Sequence, residues 1–316
     1  MFSVVIPLYN KGEEILKTLD TVFKQTVSDY EIIVVDDGST DDGAAKVEEL
    51  ADARVRLIRK ENGGVSTARN AGIKASASDF IAFLDADDEW DPDHLETLLR
   101  LKANYPQAGI YATHHVRISE SGKVERHLFS GIPPKPWEGI LQNYFRSAIR
   151  GMNPVWTSAC AVQKSVLDAI GLFDEEMRKS QDVQLWNRIA SRYPVAFSWS
   201  GTAYYRKDAG NRISKNRNAL LLSDPEQYLS RMFVDPEAVT TVSPRHAYAY
   251  NCKLAVSSAQ YALLTLNRPD IARRCLSCVK HPSYFFPQYL EWSILVHIPY
   301  GLVKRMRSAL RSMRGK

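Results

Sequence analysis

Short apolar runs alternate with longer stretches of helical spacing through the first third of the chain. Residues 4–7, 32–35, 55–58 and 80–84 read as strands. Between them, apolar positions recur at helical intervals over 13–23, 65–77 and 93–103, with a further helix running to Leu50. Apolar runs of four or five residues, each followed by a helix, are the pattern of parallel strands covered on both faces. Asp91-Pro92 supplies a cap and a first-turn proline for the last of these helices. Beyond residue 108 the period loosens. Residues 109–119 and 123–129 predict strands of a small antiparallel extension, 132–137 a stiff proline loop, and 138–147 a helix. A strand over 158–162 and short helices around Leu167 and Leu185 follow, and from residue 219 the pattern is mostly helical. The expected architecture is α/β: a Rossmann-like, mostly parallel sheet with flanking helices over 1–215, its two halves meeting near 108, and a helical extension over 216–316.

Composition narrows the class. A chain of 316 residues with 45% hydrophobic and 24% charged residues is globular and long enough to bury a large core. Its net charge of +5 owes much to residues 304–316. That makes a broad positive track for nucleic acid an unsuitable reading, the more so because the candidate cleft is lined by aspartates. Residues 1–7 lack the basic segment and long apolar core of a signal peptide, and no run reaches the roughly 20 apolar residues of a membrane span. Cys160, Cys252, Cys275 and Cys278 are too scattered for a disulfide framework, and the single CxxC spacing reads as helix residues in a reducing compartment.

Acidic clusters carry the candidate chemistry. Asp36-Asp37 follows the second strand, Asp85-Ala86-Asp87-Asp88 the fourth, and Asp182 begins a helix after a Gly/Phe-containing loop. Strand ends put carboxylates at the rim of an open α/β sheet, where ligands bind. Asp-x-Asp suits a hard divalent cation held against a diphosphate. The turn at 36–41 also reads as a polar loop with Thr40 or Asp41 capping a helix. Asn62-Gly63-Gly64 permits close backbone approach to a ligand, with Arg69 and Asn70 following on the helix. There is no GxGxxG and no GxxxxGK[ST], which disfavours dinucleotide enzymes and phosphate-loop ATPases.

Four ordered blocks, 2–10, 34–41, 62–70 and 83–88, together resemble the family 2 glycosyltransferases of the GT-A fold, over roughly the first 215 residues. The resemblance implies that Pro7, Tyr9 and Asp36 line a nucleoside pocket, with Arg69 near the nucleotide and Asp85 near ribose or donor sugar. It implies Asp87 on Mn²⁺ or Mg²⁺, and inverting transfer from a nucleotide-diphosphate sugar, a UDP-sugar favoured. Residues 171–186 resemble the family's acceptor-side loop and acidic helix start, which makes Asp182 the candidate general base. The family commonly has Glu-Asp here, and this chain has Gln181-Asp182. Residues 204–214 resemble the segment that closes over donor phosphates, offering Arg206, Lys207 or Arg212, although the histidine often found there is absent.

The acceptor expected from this resemblance is a glycan or lipid-linked saccharide in cell-envelope or extracellular polysaccharide assembly. Leu302, Met306, Leu310 and Met313 among six basic residues make residues 300–316 an amphipathic candidate for an anionic membrane surface or for a protein contact. The matching location is cytoplasmic, peripheral on the inner membrane. Trp137, Trp156 and Trp199 are candidates for sugar stacking or core, and His114 and His115 for structural roles. Two other readings stay open: a metal-dependent nucleotidyltransferase, which lacks its glycine/basic loop here, and a non-catalytic sugar-binding scaffold of the same fold.

Overall fold

The computed structural model describes residues 1–119, 121–125, 129–206, 224–298 and 300–303. The chain forms two compact units, Met1–Arg212 and Ile213–Lys316. The first opens with β1 (Phe2–Leu8), α1 (Ile15–Phe23), β2 (Tyr30–Asp36), α2 (Gly43–Glu49), β3 (Val55–Arg59), α3 (Val65–Ala75) and β4 (Phe80–Phe83). It continues through β5 (Asp88–Trp90), α4 (His94–Asn104), β6 (Ile110–Ile118), β7 (Val124–Glu125), β8 (Glu138–Ile140) and α5 (Tyr144–Arg150). It closes with β9 (Cys160–Gln163), α6 (Lys164–Ile170), α7 (Gln181–Arg192) and β10 (Val195–Arg206).

Among the described residues the strands form one sheet in the order β3-β2-β1-β4-β9-β6-β10-β5, with β7 on β6 and β8 on β10. β1 runs parallel to β2 and β4, and β2 parallel to β3. β9 is antiparallel to both β4 and β6, while β10 is parallel to β6. Alternation along the strands divides the core. Val4, Ile6, Ile32 and Val34 pack with Leu19 and Val22 of α1 and Leu95 and Leu98 of α4. Ile33 and Val35 pack instead with Ala68 of α3. Each such fully buried aliphatic side chain contributes about 1.5–3 kcal/mol. Gly72 lets α3 lie close on the sheet, since a methyl there would fall 2.4 Å from Val5 Cγ1. Pro7 lies past the last β1–β4 pair, Val5↔Phe83, where its missing N–H removes no bond from that ladder.

The second half of this unit differs from the sequence expectation. Residues 109–119 are no separate antiparallel extension, because β6 sits inside the main sheet between β9 and β10. The helix expected over 138–147 begins later. Residues 138–140 pair with β10, and Asn143 accepts the Arg146 N–H at 2.8 Å to start α5. Asp91 does not cap α4: its N-cap is Asp93, and the Asp91 carboxylate accepts the Tyr204 hydroxyl at 2.8 Å. β5 and β10 were not anticipated. β10 is interrupted by a register shift between Ser198 and Ala203, which breaks its apolar alternation.

The second unit is helical: α8 (Pro225–Met232), α9 (Pro244–Leu264), α10 (Pro269–Ser277) and α11 (Phe286–Leu295). Ala255, Ala259 and Leu263 of α9 pack with Ile271 and Cys275 of α10 and Trp292 of α11. Cys275 and Cys278 are free thiols at this helix, and burial pushes Cys275 up to about 12. No described helix is long and apolar enough to cross a membrane.

Candidate functional site

Parallel pairing of β1, β2 and β4 brings their carboxyl ends to one edge of the sheet. Asp36 ends β2 in register with Leu8 of β1, next to Pro7 and the 45%-exposed Tyr9. Asp36 is nearly buried; its Oδ1 accepts the Ser39 N–H at 3.0 Å, and its Oδ2 lies 3.7 Å from Arg59. Asp37 is spent on the loop that follows β3. It accepts the Gly63 and Gly64 N–H groups at 3.0 and 2.7 Å and pairs with Lys60 at 2.5 Å. Gly64, at φ 95, then starts α3. Asn10 closes the other side, accepting the Thr40 N–H at 2.8 Å. Asp42 stands at the N-cap position of α2 without a side-chain bond to the helix, and Asp41 supplies one, accepting the Gly43 N–H at 3.1 Å as well as the Gly12 N–H at 2.8 Å.

The acidic turn after β4 is held by two cations. Arg69 Nη2 donates to Asp85 Oδ1 at 2.5 Å, and Lys11 Nζ to Asp87 Oδ2 at 2.7 Å. Arg69 is 4% exposed, lies over the Phe173 ring at 5.3 Å, and keeps Nε and Nη1 buried without hydrogen-bond partners among the described residues. Asp88 is fully enclosed. Burial, with Asp87 and Asp85 beside it, pushes its carboxyl well above the usual range, and the Ser158 hydroxyl donates to its Oδ2 at 2.5 Å.

Asp182 lies half-buried in the first turn of α7, after Ser180 in the left-handed region at φ 57. Its Oδ2 accepts the Thr157 hydroxyl at 3.1 Å and its Oδ1 the Val183 N–H at 2.8 Å. The Cys160 thiol reports how the pieces gather. Burial pushes it well up, Arg69 acts in the opposite sense, and Asp182 and Asp85 add to the rise. Both carboxylates therefore act on one buried sulfur. The loop before α7 is tied to α3 through Asn70, which exchanges hydrogen bonds with the Phe173 backbone at 2.9 and 3.0 Å and reaches Glu175 at 2.8 Å.

Of the remaining predicted residues, Arg206 ends β10 and donates to both oxygens of Glu89 on β5, at 2.7 and 3.2 Å. Lys207 and Arg212, like the basic positions of 304–316, lie outside the described residues. Trp156 packs on His115 and Tyr205, and Trp199 joins the same aromatic cluster through Phe129, which packs on both His115 and Trp199. The sequence reading missed Lys11, Thr157, Ser158 and Glu89. Lys11 was findable, as a lone cation just beyond the carboxyl end of the first strand. The two hydroxyls carried no local signal.

Among the described residues no group of three or more His, Cys, Asp or Glu forms a metal cluster. The donor set nevertheless fits a divalent cation bound partly by substrate. Asp87 already faces a positive charge, and Mg²⁺ is typically held by one or two carboxylates with phosphate and water oxygens completing the shell.

The fold is the GT-A glycosyltransferase fold. S. aureus TarS residues 1–349 in complex with UDP-GlcNAc aligns at a TM-score of 0.69, covering 89% of this chain and 82% of that one at 19% identity. GalNAc-T7 with UDP, GalNAc and Mn²⁺ aligns at 0.51 over 65% of this chain and 44% of that one, at 17% identity. Glycosyl transferase family 2 matches residues 3–170, more than half of the chain, and the chain belongs to that family. An uncharacterized glycosyltransferase of Rickettsia felis is 33% identical over 233 residues, which are 72% of this chain and 35% of that protein. The uncharacterized glycosyltransferase YibD of Escherichia coli is 41% identical over 101 residues, 31% of this chain and 29% of the relative. The chain thus spans about a third of the length of these relatives.

Proposed function

We propose that the chain is an inverting glycosyltransferase that moves a sugar from a nucleotide-diphosphate donor, a UDP-sugar by preference, to a hydroxyl of a glycan or lipid-linked acceptor. The observation that carries this reading is the acidic turn and its link to Asp182: Asp85 pairs with Arg69, Asp87 with Lys11, and the adjacent residues Ser158 and Thr157 bond to the Asp85 N–H and the Asp182 carboxylate. One rim thereby holds groups for a leaving diphosphate and a carboxylate for an incoming hydroxyl. TarS, which is seen with UDP-GlcNAc and with UDP, supports uridine as the base.

In this reading Pro7, Tyr9 and Asp36 bound the nucleoside, and Arg69 orients Asp85 toward ribose or sugar. Asp87 holds the divalent cation, which when bound neutralises charge developing on the diphosphate. Arg206 and Arg212 serve the phosphates. Asp182 takes the acceptor proton as the acceptor oxygen bonds to the anomeric carbon. The bond from that carbon to the diphosphate oxygen breaks with its electron pair, and inversion follows from attack opposite the leaving group.

Calorimetric titration with UDP, GDP and TDP, each with and without Mn²⁺, tests the donor half. Metal-dependent binding of UDP that Asp87→Asn abolishes is expected; equal binding by that variant overturns the metal assignment. For the base, Asp182→Asn should lower turnover about 100-fold or more while leaving UDP affinity intact.

Attachment to an anionic bilayer surface belongs to the same proposal. Leu290, Ile294 and Leu302 are exposed at 45%, 56% and 51%. The chain from residue 292 to its end carries no acidic residue. Such a surface joins apolar insertion to attraction for anionic headgroups and would place a cytoplasmic enzyme beside a lipid-linked acceptor. Sedimentation with phosphatidylserine vesicles but not phosphatidylcholine vesicles is the expected result.

A further inference from the structure

The dipeptide Thr157-Ser158 connects the two halves of the site. It forms a 3-10 turn with Ala159 immediately before β9, and both hydroxyl residues are buried, at 2% and 0% exposure. Ser158 faces the donor side. Its hydroxyl donates to Asp88 Oδ2 at 2.5 Å and accepts the Asp85 N–H at 3.1 Å, and its carbonyl accepts the Trp90 indole N–H. One residue therefore holds Asp85 on the turn that carries Asp87 and both ends of the β5 strand that follows it. Thr157 faces the other way, donating to Asp182 Oδ2 at 3.1 Å, while its carbonyl accepts the Cys160 thiol at 3.3 Å. The remaining Asp182 oxygen is taken by the N–H of the next residue, Val183, so Thr157 supplies the contact that reaches this carboxylate from another element.

We propose that Thr157 and Ser158 are a pair of positioning residues, one hydroxyl for each half of the site: Ser158 sets the acidic turn for the donor and its cation, and Thr157 aims the Asp182 carboxylate. Rigid connection through adjacent residues fixes the separation between leaving group and base. The inference rests on the proposed roles of Asp87 and Asp182. Misplacing a reacting group costs rate more than binding.

The test uses the full chain, with calorimetric UDP–Mn²⁺ affinity and the rate of UDP release from a panel of UDP-sugars, water serving as acceptor. Thr157→Val preserves shape. It should keep UDP–Mn²⁺ affinity within about twofold and slow release about tenfold. Thr157→Ser should restore the rate. Ser158→Ala should weaken UDP–Mn²⁺ affinity about tenfold. If it loses its cooperative melting, Ser158→Cys, similar in volume but a weaker donor, takes its place. A wild-type rate in Thr157→Val, or wild-type affinity in the Ser158 variant, overturns the inference. Asp182→Asn at the wild-type rate sinks the base assignment instead, and leaves the Ser158 result to decide the donor half. A native chain showing neither UDP affinity nor UDP release overturns both.

Discussion

Replacing Lys11 with Met removes the ammonium that faces Asp87 at 2.7 Å while keeping most of the apolar stem. The two side chains are only 11% and 13% exposed. Removing one partner of a buried pair costs about 3–5 kcal/mol, because the remaining charge stays out of water without compensation. Slight exposure of both groups puts the expected loss near the lower bound, about 3 kcal/mol. At about 2–4 °C per kcal/mol for a unit of this size, the metal-free variant should melt about 6–12 °C below the native chain. Mn²⁺ should then reverse the order of response. In the native protein the cation competes with the Lys11 ammonium for the Asp87 carboxylate; in the variant that competitor is gone. The Mn²⁺-induced rise in Tm should therefore be larger in Lys11→Met. Differential scanning fluorimetry in EDTA and in Mn²⁺ measures both quantities. Identical melting in EDTA would refute the energetic role of the pair. A Mn²⁺ response no larger than native would refute Asp87 as the cation's ligand.

His94 should make the first unit acid-sensitive. Its ring is stacked on Trp90 and bound through Nδ1 to the Gly201 carbonyl, and burial holds it down to about 3 from an ordinary 6.5. The folded state thus disfavours the protonated ring: stability is full above pH 6.5 and falls as pH drops from there toward 3. At pH 4.5 the loss is about 2–3 kcal/mol, and urea titrations at pH 7.5 and 4.5 should show it shrinking in His94→Asn, which retains a donor for Gly201. Asp37→Ala strips acceptors from Gly63, Gly64 and Lys60 together and should cost about 2–4 kcal/mol in the same titration. In Asn70→Ala the 173–175 segment loses its ties to α3, so amide exchange at Phe173 should accelerate at least tenfold, with β1 unchanged.

What was readable beforehand was what adjacent residues encode. A run such as Ile32-Ile33-Val34-Val35 followed by Asp36-Asp37 declares both a strand buried on two faces and the end at which its carboxylates emerge. That is why the rim of aspartates could be located before any coordinates. β10 escaped notice because Ser198-Trp199-Ser200-Gly201-Thr202 spans its register shift and spoils the period of two, and β5 because three residues carry no period at all. The helix expected from residue 138 failed for a related reason: Asn143, not Glu138, holds the capping bond. Pairings across the chain are a different matter. Lys11 meets Asp87 across 76 positions, and Ser158 meets Asp88 across 70. Nothing local distinguishes Thr157 and Ser158 from any other loop hydroxyls. A carboxylate announces its chemistry by its charge, so it can be nominated from sequence; a hydroxyl is neutral and common, and acquires a role only from the groups the fold sets against it. The carboxylates at strand ends could accordingly be named in advance, while the hydroxyls set against them had to await the antiparallel pairing of β9 with β4, which sets Cys160 opposite Phe83 and lays Thr157 and Ser158 beside the acidic turn.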